Sequence, residues 1–111
     1  MKVQKIDVVS CPSFKLMQLL GSKWVLIVLN FLAYGTYRFK ELESTIGTIS
    51  PKMLTSVLET LEQEGLVKRT VSSSKPLKVE YALTDKGKLI TPLLEEIQKM
   101  ATSLALKGKQ E

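Results

Sequence analysis

The residue pattern predicts an α+β domain that is mostly helical. Three observations carry this reading. Helix start and stop signals recur along most of the chain, with apolar residues three and four apart between them. The period changes to two only near Leu77, Val79, Tyr81 and Leu83, which alternate with Lys78, Glu80 and Ala82. The 111 residues show no internal repeat, low-complexity run or long linker, so one domain with one core is expected.

Residues 1–10 read as an N-terminal arm, and 11–107 as the single domain. Ser10-Cys11-Pro12 marks a helix start, because proline suits the first helical position, where its missing N–H costs nothing. Phe14, Leu16, Met17, Leu19 and Leu20 follow as a short apolar helix ending at Gly21. Ser22 is a candidate cap for the next helix, in which Trp24, Leu26, Ile27, Val28, Leu29, Phe31 and Leu32 are apolar on nearly every side. Such a helix belongs in the centre of the fold, and Gly35 stops it. Tyr37-Arg38-Phe39 reads either as a short extended piece or as the start of a third helix carrying Phe39, Leu42 and Ile46.

The clearest start signal is Ser50-Pro51, an N-cap followed by a first-turn proline. Leu54, Val57, Leu58 and Leu61 then make one apolar stripe, and Gly65 ends the helix. Leu66, Val67, Thr70 and Val71 read as one strand and 77–83 as the next, joined by the loop Ser72-Ser73-Ser74-Lys75-Pro76. Thr84-Asp85 is expected to cap a final helix over about 85–106, with Pro92 either kinking it or marking a late start.

Composition removes several chemistries. The chain has no His, which excludes His-based acid–base catalysis and His-ligated metal. Its single cysteine, Cys11, excludes a Cys-rich zinc site and an intrachain disulfide. The six glycines are scattered, so no phosphate-cradling loop is present. Neither a metal nor a cofactor is expected, and the chain does not read as an enzyme. The apolar run from Trp24 to Tyr34 is too short for a bilayer, and the first residues are too polar for a signal peptide. No membrane partner is expected, and a cytoplasmic location with a reduced thiol is the default.

The net charge of +5 is unevenly spread. Between Leu66 and Lys88 stand Lys68, Arg69, Lys75, Lys78, Lys86 and Lys88 against only Glu80 and Asp85. Residues of about 38–65 have the length and Gly47-containing turn of a helix-turn-helix, and the hairpin of about 66–84 that follows reads as a wing. In such a winged helix-turn-helix the second helix enters the major groove N-terminal end first. With the stripe facing the core, Lys52, Met53, Thr55, Ser56 and Thr60 are left outward. No acid precedes Glu59 in that helix, so its N-terminal amides and dipole favour phosphate.

These residues also resemble a known family. Cys11-Pro12, Gly21-Ser22-Lys23-Trp24, Arg38-Phe39-Lys40-Glu41-Leu42 and Ile49-Ser50-Pro51-Lys52-Met53-Leu54-Thr55 occur in order. Leu58 through Leu61-Glu62, Gly65-Leu66-Val67-Lys68-Arg69, Val79-Glu80-Tyr81-Ala82-Leu83-Thr84 and Gly87 complete the set. In this the chain resembles the HxlR family of bacterial transcription regulators, winged-helix proteins related to MarR-type regulators, over roughly residues 11–100. The resemblance implies a homodimer built from the first and last helices that binds near-palindromic operator DNA. The sequence departs from the family pattern at Glu59, where an Arg is common, at Met100, where an aromatic residue is frequent, and in its short Ser-rich wing tip.

The expected function is therefore a dimeric DNA-binding repressor. The alternative is a winged-helix protein-interaction module without sequence-specific DNA binding, and a small thiol enzyme is disfavoured by the absence of a group to activate or resolve the sulfur. The candidate DNA-binding residues are Arg38, Ser50, Pro51, Lys52, Thr55, Ser56, Lys75 and Lys78. Met53 is placed either on a thymine methyl or under the wing. Arg38 is either a phosphate clamp or a surface ion pair with Glu41 or Glu62. Lys75 and Lys78 are either phosphate contacts or an ordinary charged hairpin edge. The candidate dimer seam is Phe14, Leu93, Ile97, Met100 and Leu104.

Cys11, at a helix N-cap with Lys15 one turn on, is either a reactive thiol sensing an oxidant or small-molecule electrophile, or a small apolar residue at a helix start. With one cysteine, only an intersubunit disulfide, a mixed disulfide or an adduct is open to it. Trp24, Phe31, Phe14 and Leu20 are assigned to core packing rather than to a ligand cavity.

Overall fold

The computed structural model describes residues 11–108, so the arm expected over 1–10 lies outside the described residues. Helices α1 (Pro12–Leu20) and α2 (Lys23–Leu32) meet at 86° across Gly21-Ser22. Helix α2 is central, as its all-round apolarity requires, with Val25, Val28, Leu29 and Leu32 buried. Trp24, Phe31 and Leu20 pack against that core. Ser22 stands at the N-cap with extended backbone, but its side chain makes no capping bond, contrary to expectation. Lys23 instead lays its ammonium over the Trp24 ring at 4.8 Å.

Both readings of Tyr37-Arg38-Phe39 are realised. Tyr37 and Arg38 form strand β1, and Phe39 opens helix α3 (Phe39–Ile46). The Glu41 carboxylate accepts a hydrogen bond from the Arg38 backbone N–H at 2.8 Å and so closes the start of α3. The hairpin of β2 (Val67–Val71) and β3 (Val79–Leu83) forms as expected. Its β3 edge also recruits β1, giving a three-stranded antiparallel sheet of order β1-β3-β2. The extended piece is expected from sequence, but its pairing with β3 is not, because two residues are too few to show a period. Phe31 and Tyr37 meet edge to face with centroids 6.2 Å apart, which pins β1 to α2.

Helix α4 (Pro51–Gln63) follows its sequence signals closely. The Ser50 Oγ accepts from the Met53 N–H at 3.0 Å, and Leu54, Val57, Leu58 and Leu61 are buried. Gly65 takes φ +74° just past the helix. Leu66 N–H then donates to the Leu61 carbonyl at 2.9 Å, and Gly65 N–H to that of Glu62 at 3.0 Å. This pair of bonds is the Schellman motif, and Leu61 and Leu66 at its two ends are both buried.

The final helix is split. A four-residue turn, α5 (Asp85–Lys88), is capped by Thr84, whose Oγ1 accepts from Gly87 N–H at 3.0 Å. After Leu89-Ile90, α6 (Thr91–Ser103) begins with Pro92 in its first turn. Proline thus marks a late start, because its ring and missing N–H are tolerated only there. The α5 turn is tied to the end of α4: Thr84 Oγ1 donates to the Gly65 carbonyl at 2.6 Å, and Thr84 N–H to that of Leu66 at 3.0 Å. Lys86 Nζ donates to the Glu64 carbonyl at 2.9 Å. Its charge lies at the negative end of the α4 dipole and offsets Glu59, Glu62 and Glu64, which are unfavourably placed there.

Candidate nucleic-acid interface

Burial of the Leu54, Val57, Leu58 and Leu61 stripe leaves one side of α4 free. Ser50, Pro51, Lys52, Met53, Thr55 and Ser56 are all exposed at its N-terminal end. Met53 is 41% exposed beside them. The expected row of open amides is mostly used within the helix. Pro51 has none, Met53 N–H is held by Ser50 Oγ, and Leu54 N–H goes to the Ser50 carbonyl at 2.9 Å. Among the described residues, no acceptor faces the amide of Lys52, so that amide and the Lys52 ammonium are the donors left at this terminus. Thr60 is spent as well: its hydroxyl donates to the Ser56 carbonyl at 3.0 Å.

Arg38 is exposed on β1, opposite Glu80 of β3. Among the described residues the ion pairs are Lys40–Glu43 and Lys99–Glu96, so the alternative pairing of Arg38 with Glu41 or Glu62 is not made. Lys75 and Lys78 are exposed at the hairpin tip. Ser72 N–H donates to the Lys78 carbonyl at 2.8 Å, and the Ser72 and Ser74 hydroxyls lie 2.9 Å apart, which gives the Ser-rich tip a defined turn. The candidate DNA residues thus fall into three groups: the start of α4, the sheet edge, and the wing tip.

Two features escaped sequence reading. Leu77 belongs by alternation to the inward row with Val79, Tyr81 and Leu83, yet the strand starts at Val79 and Leu77 is 68% exposed. Its exclusion follows from the closing Ser72–Lys78 bond, which places Leu77 in the loop. The other feature is the α5 tie to α4, whose only sequence trace is a Gly87 with no evident turn of its own.

Cys11 is half-buried at the N-cap of α1. Its Sγ makes no full capping hydrogen bond, but the amides of Phe14 and then Ser13 hold the thiol below its ordinary pKa. Backbone amides, rather than the Lys15 ammonium, carry this effect. Of the candidate seam, Phe14 is half-buried on α1. Leu93, Ile97 and Met100 form an exposed stripe along α6, continued by the exposed Leu104 just past its end, while Leu94 turns into the core. Leu16 and Met17 are also exposed on α1. A groove of about 960 Å³ runs between α1 and the α5 turn, lined by Pro12, Leu16, Leu19, Leu66, Leu89 and Ile90. No single helix among the described residues is long and apolar enough to cross a membrane.

Comparison with known proteins matches residues 19–108 to the profile of the HxlR-like helix-turn-helix family. The chain belongs to the HxlR-like family. Among its relatives is the HTH-type transcriptional regulator YvaP of Bacillus subtilis, 43% identical over 93 residues, which cover 83% of this chain and 86% of YvaP. The reduced form of the B. subtilis regulator YodB superposes with a TM-score of 0.78 at 38% identity, covering 89% of this chain and 98% of YodB. YodB is also known in diamide-treated and quinone-bound forms. The redox regulator HypR in its reduced form gives a TM-score of 0.78 at 32% identity, covering 84% of this chain and 92% of HypR. The fold of this HxlR-like chain is the winged helix of these regulators, and its class is a transcriptional regulator of helix-turn-helix type.

Proposed function

We propose that this HxlR-like chain is a homodimeric repressor that binds near-palindromic operator DNA through α4 and the wing. The observation that carries the reading is the acid-free, exposed start of α4, set on a helix whose opposite side is wholly buried. Lys52 there pairs with phosphate or guanine acceptors, and Thr55 and Ser56 reach base edges or phosphate. Arg38, Lys75 and Lys78 flank this end with phosphate contacts. The exposed stripe of α6 and the apolar residues of α1 form the seam that places two α4 helices one DNA turn apart, ~34 Å. No cofactor takes part, and the reading implies a cytoplasmic protein.

Selection from a randomised duplex pool tests this. The dimer is expected to enrich an inverted repeat and to hold it against excess nonspecific DNA. A pool that yields no enriched sequence would favour the docking module instead.

A second element of the reading is thiol sensing at Cys11, supported by the amides that favour its thiolate and by the reduced, diamide-treated and quinone-bound forms of YodB. A thiol with a lowered pKa reacts as thiolate at lower pH than the same thiol in the unfolded chain. The rate of iodoacetamide alkylation of Cys11 is therefore expected to reach half its plateau at a lower pH in the folded protein than in urea. Coincident profiles would remove the activated thiol. Loss of duplex binding after oxidation or alkylation, absent in Cys11→Ser, would link the thiol to regulation.

A further inference from the structure

The wing carries an apolar tip that its own fold does not use. Val67, Tyr81 and Leu83 are buried in the sheet, whereas Val71 is 47% and Leu77 68% exposed. Leu77 follows Pro76 and is bracketed by Lys75 and Lys78; the strands behind it add Lys68 and Arg69, and Glu80 is the one acid between Val67 and Leu83. The tip is held in shape by the Ser72–Lys78 backbone bond and the Ser72–Ser74 hydroxyl pair, so Leu77 is presented from an ordered turn.

From this we infer that Leu77, backed by Val71, is a wedge that enters the minor groove beside each α4 contact and partly unstacks one base step. The inference rests on the DNA-binding reading above. Charge decides the occupant. A cluster of ammonium and guanidinium groups with a single carboxylate suits a polyanion, and Lys75 and Lys78 on either side of Leu77 would hold phosphates of the two strands that wall the groove. An apolar side chain between them meets sugar edges and a base step, where insertion costs least at flexible pyrimidine–purine steps. Leu77 thereby adds sequence preference at positions that α4 does not touch.

The test uses the full chain and a duplex of about 30 base pairs, long enough for two half-sites one turn apart with flanks, enriched by the unmodified protein from a randomised pool. 2-Aminopurine is placed at the steps flanking each half-site. Binding is expected to raise 2-aminopurine fluorescence at one flanking step of each half-site. Leu77→Ala is expected to lose that rise and to bind about tenfold more weakly per half-site, the order expected for one buried leucine side chain. Because no charge is lost, its salt slope should match the parent, whereas Lys75→Ala should lower the slope by about one per subunit. Leu77→Met keeps an apolar wedge and should restore both affinity and fluorescence.

Parent-like affinity and fluorescence in Leu77→Ala would overturn the wedge while leaving DNA binding intact. A change in sedimentation of Leu77→Ala without DNA would assign the tip to a second copy and overturn it too. Failure of the parent to enrich any duplex would overturn both readings together.

Discussion

Gly87→Ala is expected to destabilise the domain by about 3 kcal/mol, at the upper end of the range for overpacking. Gly87 is buried inside the α5 turn. A Cβ at that position would overlap the Leu66 carbonyl oxygen and lie 3.2 Å from Leu83 Cδ2. The obstacle is backbone, and that carbonyl already accepts the Thr84 N–H at 3.0 Å, so relief requires α5 to leave α4. The movement would also lengthen the Thr84–Gly65 and Lys86–Glu64 bonds. Urea unfolding at fixed protein concentration checks this, since a dimer's midpoint depends on concentration. A midpoint unchanged from the parent would show that α5 is not a packed junction. Thr84→Val, which removes the hydroxyl without adding bulk, is expected to have a smaller effect of the same sign.

Leu54→Ala should cost about 4 kcal/mol, within the span for buried leucine truncations. Leu54 is fully buried, one residue past the Met53 amide that Ser50 caps. Its removal leaves a void beneath the turn that presents Lys52, Thr55 and Ser56. Leu54→Met conserves volume and should cost under about 1.5 kcal/mol. The two variants separate the role of the residue as filler from any role in recognition. Leu54→Met is expected to bind DNA like the parent, and Leu54→Ala to bind only in proportion to its folded fraction.

The parts of this fold that were legible in sequence are those in which a local signal and the tertiary demand agree. Ser50-Pro51 caps because an exposed helix start has no competing partner, and Gly65 takes φ +74° because the Schellman bonds to Leu61 and Glu62 require it. The apolar stripe of α4 places the exposed set Lys52, Thr55 and Ser56 by elimination alone. What was not legible depends on contacts distant in sequence. The cap expected at Ser22 is geometrically right but chemically unused. Leu77 continues an alternation, but the backbone closes the hairpin one residue later, at Lys78. Gly87 shows its purpose only when Leu66, 21 positions earlier, is brought against it. The open amides expected at the start of α4 are few for a local reason: Pro51 has no N–H, and the Ser50 cap holds that of Met53. At the start of α4 the positive character therefore rests on Lys52 and its amide, while Arg38 and the wing lysines are exposed on the sheet edge and the hairpin tip.

The most direct measurement is a fluorescence anisotropy titration of the parent and Lys52→Ala on the enriched duplex, at about 50 and 200 mM salt with nonspecific competitor. The account predicts saturable binding by the parent at both salts. For Lys52→Ala it predicts a loss of about tenfold or more and a salt slope lower by about one per subunit, as expected for one lost ammonium contact. Equal affinities and equal slopes would contradict it, because the start of α4 would then not be what touches DNA.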